Sequence, residues 1–326
     1  MDNLTHSLVG WTLGQVGLKT KTRKGLAALI LGANMPDIDV FLGWVPWAPL
    51  ATHRGFTHGV VGVLVMPPML AALLWLLDRW QVRRGTVFKS GLAMHFGWLV
   101  GLSYIATFTH PLLDWQTTYS VQLLSPFSNL WFHNDALFII DVWIWVMLGA
   151  AIWLSKRAQR RGSNWPKPAR AGLAIVLLYV GSNSMVTMAE KDQVRAALSA
   201  PVPETIYASP PPFQFWRREL AWRLNGSITW ADAPNRQSMT RPMPDNMGDP
   251  IVREALRSPQ VASFARWSTM PFAQVEKGHC SARVTFGDAR YGRSIAGNRF
   301  GQQVTVPTGY PGCPDPHLAA KPREGS

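Results

Sequence analysis

The sequence predicts an α-helical polytopic membrane domain that carries a metal site, followed by a small, mainly antiparallel β (α+β) extracytoplasmic domain. Three observations lead there. Long apolar runs at about 59–77, 91–108, 136–154 and 171–188 crowd into the first 190 residues, and each approaches the length a helix needs to cross a bilayer. After residue 190 the composition turns polar, with Pro-rich punctuation at 201–212 and 242–250 and short strand-like runs between Gly-containing turns. Between the apolar runs, histidines and aspartates recur in spacings that suit a divalent cation.

A chain of 326 residues is too long for one small domain. The composition shift divides it into a helical metal-binding domain over 1–190, a mainly-β domain over 191–316 and a disordered tail over 317–326. Charged residues make up only 16% and the mean hydropathy is +0.01, so an apolar section and a polar one average out. The net charge of +13 would point a soluble protein toward nucleic acid. Here the charge gathers in short clusters beside apolar runs, at Lys19–Lys24, Arg79–Lys89 and Lys156–Arg170. These read as topology signals facing anionic headgroups, so the expected partner is the lipid bilayer; no nucleic acid is expected, which rests on the predicted side of the candidate site and not on the charge.

Taken in order, residues 4–18 read as a short apolar helix capped by Asp2 or Asn3. A second short piece, 25–35, ends at Pro36, and the two make a hairpin with a basic tip. Pro67-Pro68 predicts a kink in the run over 59–77, and residues 78–90 read as a basic loop. Strands are expected at 216–224, 227–231, 264–276, 282–286 and 302–306, with a hairpin turn at Asn225-Gly226. Cys280 and Cys313 lack the spacing of a zinc knuckle; they read either as one disulfide or as two free thiols. The start, Met-Asp-Asn-Leu-Thr-His, lacks the basic stretch of a cleavable signal.

The basic loops at 78–90 and 155–170 belong on the cytoplasmic side. Residues 37–58, 109–135 and everything after 190 then fall on the opposite, periplasmic side of a bacterial inner membrane. Every strong candidate ligand lands at that one face. Asp37 and Asp39 follow Pro36; His53 and His58 flank Arg54; His110 and Asp114 are four apart on one helical face; His6 lies near the start. Pro111 reads as the first turn of a helix beginning at that point. Asp141 stands about two turns into an apolar run, where a carboxylate needs a cation or an interior partner. Arg54 is a candidate phosphate clamp. Asp135 reads as a cap and His133 as a ligand or an interfacial residue, while His95 reads as packing.

These pieces resemble the YdjM-type inner-membrane proteins, described as metal-dependent hydrolases. The matching elements are Thr5-His6-Ser7 with Gly10, Pro36-Asp37-Ile38-Asp39, His53-Arg54-Gly55-Phe56-Thr57-His58, His110-Pro111-Leu112-Leu113-Asp114 and Phe138-Ile139-Ile140-Asp141. Pro212-Phe213 to Trp216, Arg266-Trp267-Ser268 and Gly287 to Tyr291 also look like that family's outer domain. The helical half is similar, more distantly, to the zinc-dependent phospholipase C and single-strand nuclease superfamily. That resemblance implies His6, Asp37, His58, His110 and Asp114 as zinc ligands, with His53, Asp39 and Asp141 as further members and two or three ions in all.

The expected function is a membrane-bound metal-dependent hydrolase of a phosphoester, such as a phospholipid or lipid-linked phosphate, acting through metal-activated water with Asp39 and Arg54 in catalytic roles. The rival reading is a non-enzymatic, metal-stabilised scaffold or partner-binding protein. A metalloprotease is disfavoured because His-Glu-x-x-His does not occur.

Overall fold

The computed structural model describes residues 1–42, 53–198, 201–233, 238–293, 300–308 and 313. The expected tail, 317–326, lies outside the described residues. The chain divides into two compact units, one of residues 1–194 with 208–219 and the other of 195–207 with 220–326.

The first unit is helical. Helix α1 (Asn3–Gln15) starts where the Asp2 side chain accepts the Thr5 N–H, and α2 (Gly25–Asn34) runs back against it. The two backbones nearly touch at Gly10, where a Cβ would lie 2.5 Å from the Leu29 carbonyl oxygen. Pro36 ends α2, and the chain tightens into a 3₁₀ segment, Met35–Leu42, that bears Asp37 and Asp39.

Helix α3 (Val60–Arg83) runs unbroken through Pro67 and Pro68. Pro68 cannot donate to the Leu64 carbonyl four residues back; the Tyr104 hydroxyl donates to it instead, at 2.7 Å. The helix also continues past Asp78, which was expected in a loop. Arg23 at the hairpin tip grips both Asp78 oxygens at 2.7 Å, so the acid is paired rather than solvated.

Helix α4 (Phe96–Trp115) corrects a second expectation. It runs through Pro111 instead of starting there, which keeps His110 and Asp114 on one continuous face. His95 is its exposed N-cap, not a packed residue. Helix α5 (Val142–Arg160) begins at Asp141, whose carboxylate accepts from the Trp143 and Ile144 N–H groups. Asp141 thus caps a helix and does not lie two turns inside one. Asp135, read as that cap, has φ +59 and pairs with His133 and Lys191. Helix α6 (Pro166–Leu198) completes the unit.

The core has an α2/α3/α4 part around Leu29, Leu70, Leu74, Leu99 and Leu102, and an α1/α5/α6 part around Val9, Ile144, Leu148 and Val176. Among the described residues, α3 and α6 are long and apolar enough to cross a membrane, whereas α4 and α5, expected as spans, do not reach that combination. Segment 208–219 belongs to this unit and is tied to α6 by Arg218, which donates to Asn183 and Thr187.

The second unit carries antiparallel sheets. Strands β1 (Thr205–Ser209), β2 (Arg218–Leu224), β3 (Ser227–Ala233) and β4 (Met243–Pro244) lie in sheet order β1-β2-β3-β4. The β2–β3 turn is the expected Asn225-Gly226, with φ +50 and +67, as a two-residue hairpin of this kind requires. Helices α7 (Pro250–Leu256) and α8 (Pro259–Trp267) follow, then a sheet of β5 (Pro271–Lys277), β6 (Ser281–Asp288) and β7 (Gln302–Pro307). The strand expected over 264–276 splits, because its first residues finish an amphipathic helix whose Phe264 and Trp267 are fully buried. Tyr207, Ile228, Trp230, Met270 and Phe272 form the core between the sheets, and Cys280 pairs with Cys313.

Candidate metal centre

Four side chains from three stretches of sequence converge in the first unit. The 3₁₀ turn after α2 supplies Asp37, the turn before α3 supplies His58, and α4 supplies His110 and Asp114. All four are buried. His58 Nε2 lies 3.0 Å from His110 Nε2, 3.4 Å from Asp37 Oδ1 and 3.1 Å from Asp114 Oδ2. His110 Nε2 lies 3.2 Å from Asp37 Oδ1 and 3.3 Å from Asp114 Oδ2. Ligands at about 2.0–2.1 Å from a tetrahedral ion are separated by roughly 3.3 Å, so these spacings are those of one coordination sphere.

The proton inventory agrees. His110 Nδ1 donates to the Ala33 carbonyl at 2.6 Å, a group that can only accept. Thr57 Oγ1 donates to Asp39 Oδ2 at 2.7 Å and so accepts from His58 Nδ1, 3.0 Å away. Both neutral imidazoles therefore turn an Nε2 lone pair toward the other and toward two carboxylates. Four acceptors facing one point repel unless a cation sits among them, so the donor set fits a divalent ion. Asp39, on the Nδ1 side of His58, is held well below the usual carboxylate range: burial opposes its charge, but the N–H groups of His53 and His58 outweigh it.

A second group, Asp37, Asp39 and His53, shares Asp37 with the first. Asp39 takes His53 Nδ1 at 2.9 Å on one oxygen and the Arg54 N–H at 3.1 Å on the other, so it also orders the turn that presents His58. His6 stacks on His110 with centroids 3.6 Å apart and lies 3.5 Å from Asp114 Oδ1. Although fully buried, neither of its ring nitrogens has a hydrogen-bond partner among the described residues. Asp141 is brought into neither group; its second oxygen accepts from Tyr179.

Arg54 is buried, at φ +62. Its guanidinium lies 3.1 Å from Asp114 Oδ1, donates to Thr117 Oγ1 at 2.8 Å and stacks on Tyr119. Met1 also reaches Asp114 Oδ1 through its amino group. Asp114 is thereby neutralised on one oxygen while the other faces the centre. Sequence reasoning gave no role to Thr57, Thr117, Tyr119 or the Ala33 carbonyl. Thr57 carried a signal, standing next to His58 between the motif's histidines; a backbone carbonyl carries none.

Residues 1–189 match the family model described as YdjM inner membrane protein. The chain belongs to that family. The YdjM match covers every element that supplies the centre, ends within α6 and stops short of the sheets. The chain is also similar to a Bacillus subtilis (strain 168) protein described as "Uncharacterized protein YfhP", 22% identical over 339 residues spanning 96% of this chain and 95% of that one. No solved structure matches.

Proposed function

We propose that the protein is a metal-dependent hydrolase of phosphoesters working at the surface of the inner membrane. The observation that carries this reading is the set of four buried acceptor atoms at tetrahedral spacing. A divalent cation bound there, zinc by its N/O donor set, supplies Lewis-acid activation of water and of a phosphoryl oxygen. The chain's own part is to hold the donors. Ala33 and Thr57 fix the imidazole tautomers, Arg54 aligns Asp114, and Asp39 clamps the turn from His53 to His58. In this arrangement Arg54 acts first on Asp114; a direct role on phosphate requires it to exchange its bond to Thr117 for one to the substrate. Asp37, Asp39 and His53 are the candidate ligands of a second ion. The positive-inside rule places the centre on the periplasmic face, and a disulfide in the second unit suits an oxidising compartment.

The burial of the four ligands also favours a second reading, a scaffold stabilised by metal without turnover. One experiment separates the two. Detergent-purified protein should contain zinc or another divalent metal, lose it in the His110→Ala and Asp114→Ala variants, and release product from a panel of phospholipids and lipid phosphates only without chelator. Metal without product across the panel supports the scaffold; unchanged metal content in both variants removes the centre altogether.

A further inference from the structure

Three stretches meet here, the turn between Arg54 and Gly59 itself and two that lie against it, and each turns large apolar side chains outward. Val40 and Phe41 follow Asp39 directly and are 50% and 72% exposed, and Phe56, between Arg54 and His58, is 55% exposed. The third loop bears Leu124, Phe127 and Leu130, at 45%, 78% and 64%. It is pinned to the site turn: the Gln122 N–H donates to the Arg54 carbonyl at 2.9 Å, and a Cβ on Gly59 would meet the Ser125 carbonyl oxygen at 2.3 Å. Around a centre built of acids and imidazoles, water would favour charged neighbours. Instead, residues 40–53 and 116–134 contain no Asp, Glu, Lys or Arg.

The far end of the same helix is the opposite. Helix α3 leaves the site turn at Val60, carries exposed Leu64, Val65, Met69 and Leu73, and finishes beside Arg79, Arg83 and Arg84. Its 24 residues rise roughly 36 Å, against a hydrocarbon core of about 30 Å. With the arginines in one headgroup layer, the exposed Phe56 and Phe127 are level with the other leaflet, continuous with the apolar flank of α3. Exposed apolar area of this kind marks a contact surface, and the absence of charge on either loop matches hydrocarbon rather than a soluble partner.

We infer that Val40, Phe41, Phe56, Leu124, Phe127 and Leu130 form an apolar collar seated in the bilayer leaflet at the metal-centre end of α3, and that the substrate is a membrane lipid whose phosphate enters the centre sideways from that leaflet. The collar holds acyl or prenyl chains while Asp37, His58, His110 and Asp114 face the headgroup. The second half of this inference rests on the phosphoesterase reading; the seating of the collar does not.

The test uses the full chain in nanodiscs of phosphatidylethanolamine and phosphatidylglycerol, with nitroxide labels on Phe56→Cys and Phe127→Cys and a control label at exposed Glu276→Cys. Collar labels should collide with oxygen more than with water-soluble chromium oxalate, and the control should show the reverse. Labels that meet chromium oxalate as the control does, or that neither reagent reaches, overturn the collar in favour of water or a protein partner. In a second arm, the double variant Phe56→Ser/Phe127→Ser should keep wild-type metal content and cleavage of bis(p-nitrophenyl) phosphate while losing at least tenfold on bilayer lipid phosphates. Equal loss on both substrates overturns the lipid specificity. Lipid-seated labels with no hydrolysis of either ester sink the phosphoesterase reading and leave the collar standing.

Discussion

Asp39 stands outside the four-atom set, yet it accepts from His53, Arg54 and Thr57 and lies 3.4 Å from His58 Nδ1. Its carboxylate helps fix which His58 nitrogen faces the centre, as outer-shell acids do for metal-bound histidines. Asp39→Asn keeps the shape and removes the charge, so metal at the four-atom set should bind about 10–100-fold more weakly without leaving that set; competition with a chelator of known affinity measures this, and an unchanged affinity would show that toward this set Asp39 only shapes the turn. In contrast, His110→Ala should lose stoichiometric metal. The residue types of this centre were legible beforehand because acids and imidazoles are rare beside apolar sequence, so Asp37, His58, His110 and Asp114 announced themselves. Asp141 was misread by the same logic. A carboxylate next to an apolar run can equally satisfy the N–H groups that open a helix, and the run over 136–140 gave no sign that it precedes α5 rather than forming part of it.

At the scale of elements, the pairing of α3 with α4 turns on one missing N–H. Pro68 frees the Leu64 carbonyl, and Tyr104 on α4 supplies the donor from outside the helix. In Tyr104→Phe that carbonyl loses its bond, at a cost of about 0.6–1.7 kcal/mol, the range found between membrane helices. Restoring the helical N–H with Pro68→Ala should shrink the effect of Tyr104→Phe toward zero. A double-mutant cycle of unfolding in mixed micelles reads this coupling, and additive effects would mean the hydroxyl's contribution does not depend on the carbonyl that Pro68 frees. The same helices show where sequence logic gave out. Apolar runs located α3 to α6, but Pro111 suggested a helix start where α4 runs straight through. In the sheets, Asn225-Gly226 was decisive because both positions need positive φ. The run over 264–276 misled because aromatic residues favour strands, whereas the i, i+3 spacing of Phe264 and Trp267 is that of a helix's buried face.

Across the whole molecule, charge and redox chemistry sort by unit. The basic clusters sit at the ends of the first unit's helices, whereas the disulfide, Cys280–Cys313, closes 33 residues of the second. A loop of that length restricts the unfolded chain by about 3–4 kcal/mol, so Cys280→Ser/Cys313→Ser should lower the stability of the second unit while metal content stays at the wild-type level. The second unit also holds Asp288, fully buried, with both oxygens gripped by Arg290 at 2.8 Å and one also taken by Ser268. Burial pushes its carboxyl up, but the guanidinium outweighs it and the acid lies below its ordinary value of about 3.8. A depressed folded-state pKa adds stability that is complete above the unfolded value and lost as pH falls through the folded one. The unit should therefore soften below about pH 4, and Asp288→Asn should flatten that part of the acid limb. The same variant removes the carboxylate charge beside the buried Arg290 guanidinium, which lies among Trp267, Tyr207 and Tyr291 with rings 4.6–5.5 Å away, so its stability at neutral pH should fall by about 3–5 kcal/mol. Replacing both partners, Asp288→Asn with Arg290→Met, should recover much of that loss, because removing the carboxylate by itself leaves the guanidinium charge buried. Thermal unfolding of the full chain from pH 3 to 8 follows both effects; an acid limb of unchanged slope in Asp288→Asn would locate the titrating group elsewhere.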